Sequence, residues 1–72
     1  MRVIPTDPSG NIQQVQYDDD TQTLYITFNR GPVYTYQGVP QLTAEGFATS
    51  GMRPKAYFNQ SILNQYQYQR MS

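Results

Sequence analysis

The chain has no cysteine and no histidine. Without cysteine, neither a disulfide framework nor a thiolate metal site can brace the fold, and no thiol nucleophile is present. Without histidine, the side chain that most readily exchanges protons near neutral pH is missing. Charge is scarce too. Five Lys and Arg stand against five Asp and Glu, for a formal net charge of zero, which argues against strong non-specific attraction to a polyanion. Apolar runs are short, and none approaches the roughly 18 residues of a membrane span. The opening Met1-Arg2-Val3-Ile4-Pro5 lacks the apolar stretch of a secretory signal. A soluble, cytoplasmic protein is expected. Bond chemistry has no support. Glu45 is the sole carboxylate of the second half of the chain, so no convergent carboxylate metal site is expected. Neither a catalytic residue, a metal nor a cofactor is assigned.

What the chain does have is rings. Seven tyrosines and three phenylalanines occur in 72 residues. A domain of this size buries a limited share of its surface. Each aromatic ring buries a large area while a tyrosine hydroxyl stays wet. Self-association is a second way for a small domain to gain stability, and a homo-oligomer is expected.

The local pattern predicts an α+β fold: a three-stranded antiparallel β-meander packed on one face by two short helices. Residues 1–10, with Pro5, Pro8 and Gly10, read as an irregular N-terminal arm. Residues 11–72 read as a single domain. Asn11 to Tyr17 is the first strand, with Val15 and Tyr17 on one face. Asp18-Asp19-Asp20-Thr21-Gln22 is polar and turn-forming, and lacks the spaced ligands and glycine of a calcium loop. Thr23 to Phe28 is the second strand, placing Leu24, Ile26 and Phe28 opposite Tyr25 and Thr27. Asn29-Arg30-Gly31 forms a short loop whose glycine takes the positive φ of a three-residue hairpin. Val33 to Gln37 is the third strand, and Val39-Pro40 ends the sheet. Gln41 to Ala48 reads as a short helix with Leu42 and Phe47 facing the sheet, and Gly46 weakening it by about 1 kcal/mol relative to alanine. A second helix is expected from about Tyr57 to Tyr66, where Phe58, Ile62, Leu63 and Tyr66 make one apolar stripe. The tail after Tyr66 reads as extended.

Candidate binding residues follow from charge and aromatic placement. Residues 1–20 hold Arg2 against Asp7, Asp18, Asp19 and Asp20, whereas the rest carries Arg30, Arg53, Lys55 and Arg70 against Glu45 alone. Arg53 and Lys55 flank Pro54 just before a helix, where free N–H groups and a partial positive charge favour anions. Asn59 either adds an amide to that site or caps the helix, and asparagine is a preferred cap. Arg30 at the hairpin tip and Arg70 in the tail add to the same field. Tyr34 and Tyr36 read first as the buried side of the meander, and alternatively as a platform on which bases stack. Tyr25, on the open face, is then the better stacking residue of its strand. Tyr66 and Tyr68 share one side of an extended tail and suit an interface, with Tyr68 the second stacking candidate.

The ordered set Ser9, Ile12, Tyr17-Asp18, Leu24, Phe28, Gly31, Tyr34-Thr35-Tyr36, Val39-Pro40, Ala48, Ser50, Tyr57-Phe58-Asn59, Ile62 and Tyr66-Gln67-Tyr68-Gln69-Arg70 resembles the KTSC domain. That short module takes its name from the C-terminus of some lysyl-tRNA synthetases and also occurs as a small free-standing protein in bacteria and phages. Two departures stand out. Gly51-Met52-Arg53-Pro54-Lys55-Ala56 lengthens the connection before Tyr57 and adds two cations, and Leu63 and Gln65 are neutral where the family tends to carry arginine. The resemblance implies a bacterial cell or a phage-infected host as the setting, and RNA as a partner. Combined with the residue reading, it leads to a non-enzymatic binding module for a phosphate-bearing ligand, RNA or a nucleotide. The alternatives are a phage-encoded inhibitor of a host defence system, which sequesters a nucleotide signal or blocks a host protein, and a protein–protein interaction module.

Overall fold

The computed structural model describes residues 1–6 and 10–71. Asp7 and Pro8 of the expected arm, and Ser9 of the resemblance, lie outside the described residues. The described residues form an open antiparallel sheet of five strands in sequence order, β1 (Arg2–Ile4), β2 (Ile12–Asp18), β3 (Thr23–Phe28), β4 (Val33–Tyr36) and β5 (Tyr68–Arg70). Two helices, α1 (Gln41–Thr49) and α2 (Pro54–Ser61), lie between β4 and β5 in the chain. The α+β class, the central meander and the two helices are as the sequence predicts. The strand number is not. Arg2–Ile4 pairs with β2, so this part of the arm is not irregular, and the extended tail pairs with β4. Both added strands are three residues long, too short to declare themselves by alternation.

Cross-strand register decides which side chains share a face. Tyr17, Leu24, Tyr36 and Tyr68 stand side by side across β2 to β5, and Ile4, Val15, Ile26, Tyr34 and Arg70 form the next row. A β-bulge between Ile12 and Gln14 inserts one residue. It returns Ile12 to the face of Val15 and Tyr17, which strict period two would deny it. The core lies on this face, among Ile4, Ile12, Val15, Tyr17, Leu24, Ile26, Tyr36, Val39, Ala44, Phe47, Phe58 and Ile62.

The helices meet at Gly46, where an added Cβ would run into the ring and hydroxyl of Tyr57. That hydroxyl donates to the Thr43 carbonyl at 2.6 Å. Likewise the Tyr17 hydroxyl donates to the Val39 carbonyl at 2.5 Å, tying the loop before α1 to the sheet. Arg2 bridges Asp19 at 3.0 Å and Glu45 at 2.9 Å, joining β1, the β2–β3 turn and α1. The aspartate run is a turn, with Asp20 N–H donating to Asp18 Oδ1 at 3.0 Å.

Other expectations fail for local reasons. Leu42 is 82% exposed rather than sheet-facing, because Ala44 and Phe47 already fill the inner face of α1. The second helix starts at Pro54, not Tyr57, and ends at Ser61. Proline is tolerated in the first helical position, where its missing N–H has no partner to lose. Leu63 therefore falls past the helix and is 41% exposed. Among the described residues, no helix is long and apolar enough to cross a membrane.

Candidate functional site

At the β4–β5 end of the inner face Tyr36 is buried against Phe58 of α2, while Tyr34 is half-buried and Tyr68 exposed. Five rings gather there. Phe28 stands edge-on to Tyr34 and to Phe58, each with centroids 5.6 Å apart. Tyr36 is edge-on to Phe58 at 5.6 Å. Tyr68 leans on both Tyr34 and Tyr36 at 5.8 Å. The contacts close on themselves, Phe28 to Tyr34 to Tyr68 to Tyr36 to Phe58 and back. These rings, with Pro32, Leu63 and Asn64, line a groove of about 420 Å³, within the size range of small-molecule sites.

Tyr36 is the informative member. Tyr17, Tyr36 and Tyr57 are the buried tyrosines among the described residues. Tyr17 and Tyr57 each donate to a main-chain carbonyl. Tyr36 is only 4% exposed, yet its hydroxyl makes no hydrogen bond to any other described residue. A buried polar group ordinarily has a partner. Burial, with the neighbouring Tyr34 and Tyr68, pushes its pKa up to about 12. The hydroxyl is therefore neutral throughout the physiological range, able both to donate and to accept.

Cations border the rings. The Lys55 ammonium lies 5.7 Å from the Phe28 centroid and 5.5 Å from that of Phe58, within cation–π range. Its stem passes Gly10, where a Cβ would come within 3.0 Å of Lys55 Cβ. Arg70 stands opposite Tyr34 across the β4–β5 pair, on the groove's face of the sheet. Arg30 has φ 74° at the hairpin tip and lines, with Phe28 and Asn29, a second hollow on the far side of Phe28.

The other candidate residues do not join them. Tyr25 pairs with Gln16 and Thr35 on the opposite face of the sheet, so Tyr25 and Tyr68 cannot stack one ligand together. Arg53 occupies the N-cap position of α2, exposed, and its side chain makes no capping bond. Asn59 lies inside α2 and caps nothing, because the helix begins earlier than the pattern suggests. The sequence pattern places Phe28 and Phe58 in the core alone, and Tyr34 and Tyr36 there first. The available signal is ring number: these aromatics at one end of a small sheet exceed what two short helices can cover.

Comparison with known proteins fixes the family. Residues 8–66 match the KTSC domain model. The chain belongs to the KTSC domain family. The same domain is seen in the crystal structure of a KTSC domain protein from Yersinia pestis, with a TM-score of 0.82, 26% identity and 94% of each chain covered. Lysine–tRNA ligases of Nostoc punctiforme and Trichormus variabilis are each 33% identical over 66 residues. That match covers 90% of this KTSC chain and 12% of each ligase. The residues matched to the KTSC model stop at Tyr66, so Tyr68, which closes the ring circuit, lies just beyond them.

Proposed function

We propose that this protein is a non-enzymatic binding module for a phosphate-bearing aromatic ligand, a nucleotide in preference to a long RNA. The observation that carries the reading is the buried Tyr36, without an internal hydrogen-bond partner, in a groove walled by rings. A base meets three requirements of such a site. One of its faces packs on Tyr68, its polar edge offers Tyr36 a partner, and its phosphate reaches Lys55 or Arg70 at the rim. The compact, closed circuit of rings and the zero net charge suit a small ligand better than an extended polyanionic track.

The test is calorimetry with AMP, ADP and an RNA hexamer as probes. AMP and ADP are expected to bind, and Tyr68→Ala to weaken them roughly 5- to 150-fold, the span of one lost stack. Lys55→Ala is expected to weaken ADP and flatten its salt dependence. Absence of nucleotide binding, or affinities indifferent to both substitutions, overturns the reading.

A second reading has its own observation. Leu63, Tyr68 and Met71 are exposed at the C-terminal end of the sheet, as a contact surface would require. A module that meets a host protein, or a homo-oligomer that sequesters a nucleotide signal between copies, would use this end. Native mass spectrometry separates the cases: a closed oligomer carrying a nucleotide supports sequestration, and a bare monomer counts against it.

A further inference from the structure

Tyr36 poses a problem of access. It lines the aromatic groove, yet it is only 4% exposed, so a ring-sized ligand cannot seat against it while the groove stands closed. Three side chains crowd it. Leu24 stands beside it on β3 and Phe58 lies edge-on at 5.6 Å, and both are buried core residues. Tyr68 stands beside it on β5 and is 63% exposed. Tyr68 is therefore the neighbour that can leave without opening the core. The strand that carries it is short, and all three of its residues are exposed. Tyr66, packed against the core, precedes it. Gln37 N–H donates to the Gln67 carbonyl at 3.0 Å, and Met71 N–H to the Val33 carbonyl at 2.7 Å. A short, exposed edge of this kind is where local opening costs least.

We infer that β5 is a strap: it swings off β4 beyond Tyr66, uncovers Tyr36 to admit the ligand, and recloses with Tyr68 on one face of that ligand. The closed, empty state favours the motion from within. It keeps the Tyr36 hydroxyl from water without an internal partner, a penalty that hydration relieves when the strap lifts. A bound base relieves the same penalty with the strap down, so the ligand favours reclosure. The choice of ligand rests on the nucleotide reading above, whereas the lifting of β5 does not.

Hydrogen exchange on the full chain without ligand tests the lifting. Antiparallel alternation points the Thr35 amide at β5 and those of Tyr34 and Tyr36 at β3. If β5 lifts by itself, the Thr35 amide is expected to be at least roughly tenfold less protected than the other two. Equal protection overturns the strap, whatever binds. A tether tests the gating. Thr35 and Gln69 stand opposite each other on the face away from the groove, about 5.5 Å apart between Cα atoms, a span that a disulfide bridges. The chain has no cysteine of its own, so Thr35→Cys with Gln69→Cys gives one defined crosslink. In the oxidised double variant AMP is expected to associate at least roughly tenfold more slowly, and a thiol reductant to restore the rate of the natural chain. Equal rates before and after reduction overturn the gating while the nucleotide reading stands. If AMP binds neither the variant nor the natural chain, the nucleotide reading falls, and the exchange result alone upholds or overturns the strap.

Discussion

Gly46 reverses its sign between an isolated helix and this fold. Helix propensity favours alanine there by about 1 kcal/mol. The Cβ, however, must displace Tyr57, at an overpacking cost of about 1–3 kcal/mol. It also disturbs the Tyr57–Thr43 hydrogen bond, worth about 1 kcal/mol. Gly46→Ala is therefore expected to destabilise by about 1–3 kcal/mol in chemical denaturation, and a more stable variant would refute the close packing of α1 on α2. The buried tyrosines make a second residue-scale test. Tyr17→Phe strands the buried Val39 carbonyl and is expected to cost about 1–3 kcal/mol. Tyr36→Phe removes a hydroxyl with no internal partner, so stability should stay within about 0.5 kcal/mol while nucleotide affinity falls. Equal losses of stability in the two variants would mean that Tyr36 serves the fold rather than a ligand. None of this was legible in the sequence. A glycine in a helical stretch reads as a weakness until its neighbour is known, and two tyrosines at period two look alike until one is seen to have a partner.

Among the elements, long alternating segments were legible and short ones were not. Thr23 to Phe28 carries enough β-branched and aromatic alternation to define itself. Arg2–Ile4 and Tyr68–Arg70 become strands only because a neighbour offers a free edge, a tertiary condition no local pattern contains. The start of α2 was hidden behind Pro54, which resembles a loop marker and acts as a first-turn residue. The edge strand β5 can be tested on its own. Main-chain bonds join Gln37 to Gln67 and Met71 to Val33, so the antiparallel alternation makes Thr35 and Gln69 a hydrogen-bonded pair. Gln69→Pro removes the inward N–H. It is expected to cost about 1–3 kcal/mol and to raise amide exchange in β4 and β5, with β2 and β3 unaffected. Undisturbed exchange at Thr35 would show that β5 is not docked in solution.

At the scale of the whole molecule, pH reports on burial. The pKa of Tyr36 is pushed up to about 12, and that of Tyr17 is also raised, chiefly by burial. Both are favoured neutral in the fold. Their contribution to stability is complete below pH 10, the ordinary tyrosine value, and is lost as pH climbs through the folded values. Denaturation midpoints should hold steady from neutrality to about pH 10 and then fall. In acid, hydrogen bonds from Arg2 and Gln41 hold the Glu45 carboxyl below its usual value. That contribution is present above about pH 4.5 and disappears as pH drops through the lower folded value. A midpoint that began to fall well below pH 10 would contradict the burial of Tyr36. The basic half of the chain, visible as a tally of charges, divides in space: Lys55 and Arg70 border the rings, while Arg53 stands apart at the head of α2.

The five rings belong to β3, β4, β5 and α2 at once, so a guest lodged among them would rivet four elements together. Of these, β5 has the least to hold it otherwise. Occupancy should therefore be audible in β5, where cleavage by an added endoprotease slows in step with saturation of the groove.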